Sequence, residues 1–214
     1  MLALLDLILP LECGGCGAAG ARWCAECRRA LAVAPVSSGP RVPVGAPCWA
    51  LGPYSGPRRR AVLAAKERGR RDLAEPLGAA LALAVRRLRA CGHLDPPQLA
   101  PLALVPAPTR ARAARIRGGD PVTRAACAAA ARLPGCDVVP ALAFRRGVRD
   151  SVGLGVAGRQ ANLAGRVRLA GPVPSGEIVL VDDVLTTGAT ARESVATLRA
   201  AGSMVAAVLV LAAV

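Results

Sequence analysis

Two stretches of this chain carry residue types that do chemistry at a meaningful spacing. One is ECGGCGAAGARWCAEC, with Cys13, Cys16, Cys24 and Cys27. The other is IVLVDDVLTTGAT, Ile178 to Thr190, in which an apolar run leads to adjacent carboxylates and then to hydroxyls around a glycine.

The cysteines form C-x2-C, a gap of seven residues, and C-x2-C again. Two-residue spacing lets both thiolates of a knuckle reach one tetrahedral ion, and the glycines between them permit the tight turn. Two knuckles complete the closed four-thiolate shell of a structural Zn2+ site, with no position left open for catalysis. A segment this small buries no core of its own, so metal binding and folding are expected to be coupled. A pair of redox C-x-x-C motifs is the competing reading. Cys48, Cys91, Cys127 and Cys136 have no ligand spacing and read as small buried residues.

In the second stretch the strand is expected to end at Val181, so that Asp182 and Asp183 emerge at the carboxyl edge of a sheet. Two carboxylates there suit the vicinal hydroxyls of a ribose, and their oxygens suit a hydrated Mg2+. Thr186, Thr187, Gly188, Ala189 and Thr190 then turn into a helix. Gly188 allows close backbone approach, and inward N–H groups with threonine hydroxyls make a phosphate nest at a helix N-terminus. No Walker lysine follows the glycine, which argues against an NTPase P-loop. The competing reading is an Asp-Asp turn that merely caps a helix.

The elements that must position these groups follow from periodicity. Residues 58–69 and LAEPLGAALALAVRRLRA read as helices, LALV (Leu102–Val105) as a buried strand, and Val122–Arg132 as a further helix. Val138–Phe144 is a candidate strand in which Pro140 suits only an edge or bulge. Thr109 is a candidate cap for the Arg-rich helix after it. IVLV, the motif, ARESVATLRAA, Gly202 and VAAVLVL form a strand–loop–helix–strand unit with uninterrupted apolar strands, as in parallel sheets covered on both faces. The expected fold is α/β: a mainly parallel sheet with helices on both faces, plus a small N-terminal zinc-binding module. Residues 1–34 are the expected zinc-ribbon-like module with a short N-terminal helix. Residues 35–52 read as a Pro/Gly/Ser-rich linker with a short strand near Cys48–Leu51, and 53–214 as the main domain.

The chain has 214 residues, 28 basic and 14 acidic, for a net charge of +14. That excess suits a polyanionic partner, a phosphorylated metabolite or nucleic acid among them. Lys66 is the sole lysine. The aromatics are only Trp23, Trp49, Tyr54 and Phe144, too few for the stacking platform of a dedicated single-strand binder. MLALLDLILPL lacks a basic n-region and a small-residue cleavage site, and no run reaches the length of a membrane span, so a soluble cytoplasmic protein is expected.

IVLVDDVLTTGAT resembles the phosphoribosyl pyrophosphate motif of type I phosphoribosyltransferases. With LLDLILPLECGGCG, KERGRRDLAEPLG, LVPAPTRARAARIRG and RDSVGLGVAGRQANL, the whole chain resembles the ComF/GntX family. The resemblance implies that Asp182 and Asp183 hold ribose hydroxyls and that Thr186–Thr190 hold the 5-phosphate. It assigns Pro106, Ala107 and Pro108 to a pyrophosphate loop bridged by Mg2+, and Arg145–Leu154 to a loop that closes over the site. Two segments depart from the family pattern: RGGDP stands where R-G-F-N-Q is usual, and Ser151 where Gln is usual. Three functions follow as expectations: phosphoribosyl transfer to a nitrogen acceptor, a nucleotide-sensing module without turnover, or a DNA-uptake (competence) accessory that contacts DNA. Arg110, Arg112, Arg115 and Arg117 are the candidate contacts to phosphates, with a solvated basic face as the alternative.

Overall fold

The computed structural model describes residues 11–109, 119–145 and 165–214. The expectations for the N-terminal helix, the arginines at 110–117 and residues 146–154 of the closing loop fall outside these residues.

The chain is an α/β protein built on one mixed, mostly parallel sheet. Its strands are β1 (Val36–Ser37), β2 (Cys48–Ala50), β3 (Leu102–Pro106), β4 (Cys136–Val138), β7 (Glu177–Leu185) and β8 (Val205–Ala213), in the order β1-β2-β8-β7-β3-β4. Only β1 runs antiparallel to its neighbour. The central β7 is hydrogen-bonded on both sides, Leu180 lying opposite Val105 of β3 and Val208 of β8. Such strands must be apolar on both faces, which is why IVLV and VAAVLVL do not alternate.

Each face is closed by helices. Val179, Val181, Leu209 and Leu211 face one core with α2 (Gly56–Glu67), α3 (Ala74–Ala90) and α4 (Pro121–Ala130). Ile178, Leu180, Val208 and Val210 face the other, with α5 (Ala189–Ala200). Leu77, Leu81, Val85 and Leu88 form the buried stripe of α3 at helical spacing. Gly78 lets α3 and α4 meet closely, since a Cβ there would lie 2.5 Å from the Ala128 Cβ. α2 begins after Ser55 with Pro57 in its first turn, and the chain leaves it through Gly69 at φ +63°.

Two sequence expectations change. The Val138–Phe144 candidate splits at Pro140: β4 stays in the main sheet, while β5 (Leu142–Phe144) pairs antiparallel with β6 (Val167–Leu169). The short strand expected near Cys48–Leu51 is present as β2, with Trp49 opposite Leu209, and the segment read as linker adds β1 beside it at the sheet edge. No helix among the described residues is long and apolar enough to cross a membrane.

Candidate functional site

In the N-terminal module the sulfurs of Cys13, Cys16, Cys24 and Cys27 lie within 4.8 Å of one another. The chain reaches this arrangement through local turns. Gly17 N–H donates to Cys13 O at 2.8 Å, and Gly17 and Gly20 take φ of +83° and +90°. Cys24 caps α1 (Ala25–Leu31), its sulfur accepting from the Cys27 N–H. The Cys24 N–H donates to the Cys13 sulfur at 3.3 Å, and the Ala18 N–H to the Cys16 sulfur at 3.5 Å. A Cβ on Gly15 would lie 2.6 Å from the Cys27 sulfur, so the second knuckle packs directly over this glycine.

The thiols of the cluster are shifted in opposite directions. Burial works against charge on Cys13, yet N–H donors from Cys24, Cys16 and Gly15 bring its thiol down to about 6. Burial and then the neighbouring thiols push Cys27 the other way. Four sulfurs this close do not all ionise without a positive ion between them. Their number and closeness fit a metal such as zinc.

This module is clamped to the main body by arginines. Arg58 donates to Ala30 O at 2.6 Å, Arg60 to Cys16 O at 2.8 Å and Arg70 to Glu12 O at 3.0 Å. Arg70 is itself fixed by Asp72, at 2.7 and 2.8 Å. Two of these clamps, Arg58 and Arg60, stand on α2, the helix that also carries Lys66.

At the carboxyl edge of the sheet, β7 does not stop at Val181. It continues to Leu185 because β8 is equally long and pairs with it through Asp182↔Val210 and Leu185↔Ala213. The aspartates are therefore held by the strand itself, with less freedom than a loop would give. The Asp182 carboxylate accepts from the Asp183 N–H at 2.8 Å. Asp183 is nearly buried, its side chain 8% exposed, and its Oδ2 lies 2.5 Å from the Lys66 Nζ. Apart from this ion pair, the buried Oδ2 accepts no hydrogen bond from the described residues. Burial first, and then the charge of Asp183, push the Asp182 carboxyl up to about 8, with Lys66 pulling back part of the shift.

Beyond Leu185 the chain turns into α5. Gly188 precedes the helix at φ +87° and, having no side chain, supplies no side-chain cap of its own. The Thr187 hydroxyl accepts from the Ala189 N–H at 3.3 Å. Thr187 and Ala189 are buried, Thr190 is half-buried and Thr186 is exposed. A strap lies across this turn: the Val42 N–H donates to Thr187 O at 2.9 Å, and a Cβ on Gly188 would sit 2.8 Å from the Pro40 Cβ and 2.9 Å from Val42 O. The strap and the Lys66 contact were not anticipated from sequence. The alternation in PRVPV, whose Val42 and Val44 are buried, is the signal for the first.

Pro106, Ala107 and Pro108 are buried at the end of β3. Prolines have no N–H, and that of Ala107 donates to Val181 O at 2.8 Å, so this stretch offers carbonyls and ring surface but no amide donor. Thr109 caps no described helix; its hydroxyl donates to Asp120 at 2.8 Å. Asp120 in turn caps α4, accepting the Thr123 N–H at 2.7 Å, with Pro121 next to it. The D-P of RGGDP is thus a helix start.

The chain matches no protein-family model and no curated protein.

Proposed function

We propose that the chain is a type I phosphoribosyltransferase-like protein of the ComF/GntX kind, and that it binds phosphoribosyl pyrophosphate or a related ribose 5-phosphate. One observation carries the reading. Two carboxylates stand at the carboxyl end of the central parallel strand and lead within a few residues to a helix N-terminus turned by glycine, where, among the described residues, only the Ala189 N–H has a side-chain partner, the Thr187 hydroxyl. A ribose 5-phosphate offers the matching pair of groups, hydroxyls for Asp182 and Asp183 and an anion for the amides and hydroxyls of Thr186–Thr190.

The donor set at this edge is hard oxygen, which fits Mg2+ held through water and ligand oxygens. The Lys66 ammonium beside Asp183 disfavours direct ligation by that carboxylate. Bound Mg2+ would neutralise charge on a pyrophosphate leaving group. The protein would contribute position and a fixed polar environment for transfer of the phosphoribosyl group to a nitrogen acceptor. Pro106–Pro108 offers the pyrophosphate no free amides of its own.

Calorimetric titration with phosphoribosyl pyrophosphate and Mg2+ tests the reading. Binding is expected for the wild type and its loss for Asp182→Ala/Asp183→Ala; equal heats from both overturn the assignment. Pyrophosphate release on adding nucleobases then separates a transferase from a sensor. The competing role as a DNA-uptake accessory rests on the +14 net charge, and it requires DNA binding that falls steeply with salt.

A further inference from the structure

Basic residues number 28, and all but Lys66 are arginine. In a chain whose ordinary cation is arginine, one lysine placed against one buried carboxylate is a departure that calls for a physical reason. An ammonium is a compact point charge on a flexible stem, whereas guanidinium is a planar fork that would occupy both carboxylate oxygens. The Lys66 Nζ lies 2.5 Å from Oδ2 of Asp183, whose side chain is 8% exposed against 34% for the lysine. A cavity of about 10 Å3, lined by Val62, Ala65, Val122 and Leu211 among others, adjoins the pair, room for about one water. The carboxylate thus has a cation on one side and apolar walls around it, and its Oδ2 accepts no hydrogen bond from the described residues.

We propose that Lys66 is a positioning residue of the ribose site, holding the Asp183 carboxylate in place while leaving it a lone pair for a ligand hydroxyl. The inference rests on the ribose 5-phosphate reading above and adds a residue that the IVLVDDVLTTGAT motif does not contain. Lys66 acts through Asp183; the phosphate is left to the turn at Gly188. Without the ammonium, a buried carboxylate loses its compensating charge and its fixed orientation.

The test measures ribose 5-phosphate and inorganic phosphate side by side by calorimetry. Lys66→Met is expected to weaken ribose 5-phosphate about tenfold, the worth of one hydrogen bond to a charged group, and to leave inorganic phosphate unchanged. Lys66→Arg should recover only part of the loss. In an Asp183→Asn background, adding Lys66→Met should cost nothing further. This pair also carries the test if Lys66→Met alone melts too early, because it leaves no unpaired charge.

Unchanged ribose 5-phosphate affinity in Lys66→Met, an equal loss of both ligands in a folded variant, or a further loss in the Asp183→Asn background each overturns the proposal. A wild type that binds ribose 5-phosphate no better than inorganic phosphate overturns the ribose reading itself, with no variant involved. Since Lys66 is the sole lysine, amine-reactive labelling read by mass spectrometry gives an independent check. Ribose 5-phosphate should protect it, and inorganic phosphate should not.

Discussion

The cysteine knuckles and the β7–α5 turn solve related problems in different ways. Both use glycine to bend the backbone so that ligand groups converge. In the knuckles every converging sulfur comes from Cys13 to Cys27, and the N–H donors to those sulfurs lie in the same stretch. At the β7–α5 turn the convergence is long-range: Lys66 reaches Asp183 from α2, and Pro40 and Val42 cover Gly188 from the strap. A site made of neighbours in sequence is a folding device. A site assembled from distant elements has to be held together by the fold around it.

The largest expected effect falls on the knuckles. Removing the metal with a chelator, or replacing Cys24 by Ser, should unfold the N-terminal module at a cost of more than about 4 kcal/mol, since site and fold form together. Elemental analysis should find one zinc per chain, and circular dichroism should find a lower melting temperature after chelation. A chain that keeps its full melting temperature without metal breaks the contrast, because the knuckles would then also depend on the body around them.

A smaller effect, of opposite sign, is expected at the other region. The Asp182 carboxyl rises from an ordinary 3.8 to about 8 on folding. Between those values the folded chain keeps a proton that the unfolded chain has released, so stability is lost as pH rises through that window. Asp182→Asn removes this loss. Its melting temperature should match the wild type near pH 4 and exceed it by about 2–4 °C at pH 8, as about 1 kcal/mol gives in a chain of this size. Glu177, also raised by burial, is present in both proteins and cancels from the difference. Equal melting curves at both pH values would mean that the aspartates sit in a more solvated setting than described.

This contrast explains what could be read from sequence. The parallel sheet, the cysteine cluster and the strand–turn–helix at Ile178–Thr190 were legible because each is encoded by adjacent or periodic residues. The continuation of β7 through both aspartates was not, because β8, not the carboxylates, decides where pairing ends. Pro140 marked an interruption, but nothing local told that the chain would leave one sheet for another. The strap at Pro40–Val42 read as linker because its Pro and Gly content hides the alternation that buries Val42 and Val44. Lys66 stood out by its rarity, and only the packing of α2 on the sheet supplied its partner.

The central claim is that the aspartates grip sugar hydroxyls beside a phosphate held by the turn. It is tested most directly by the ratio of affinities for ribose 5-phosphate and 2-deoxyribose 5-phosphate, measured by calorimetry on the wild-type chain. The account predicts that losing the 2-hydroxyl weakens binding about 10- to 100-fold, the range for a hydrogen bond to a charged group. It also predicts that the ratio collapses to one in Asp182→Ala/Asp183→Ala. Equal affinity of the wild type for the two sugars would contradict it.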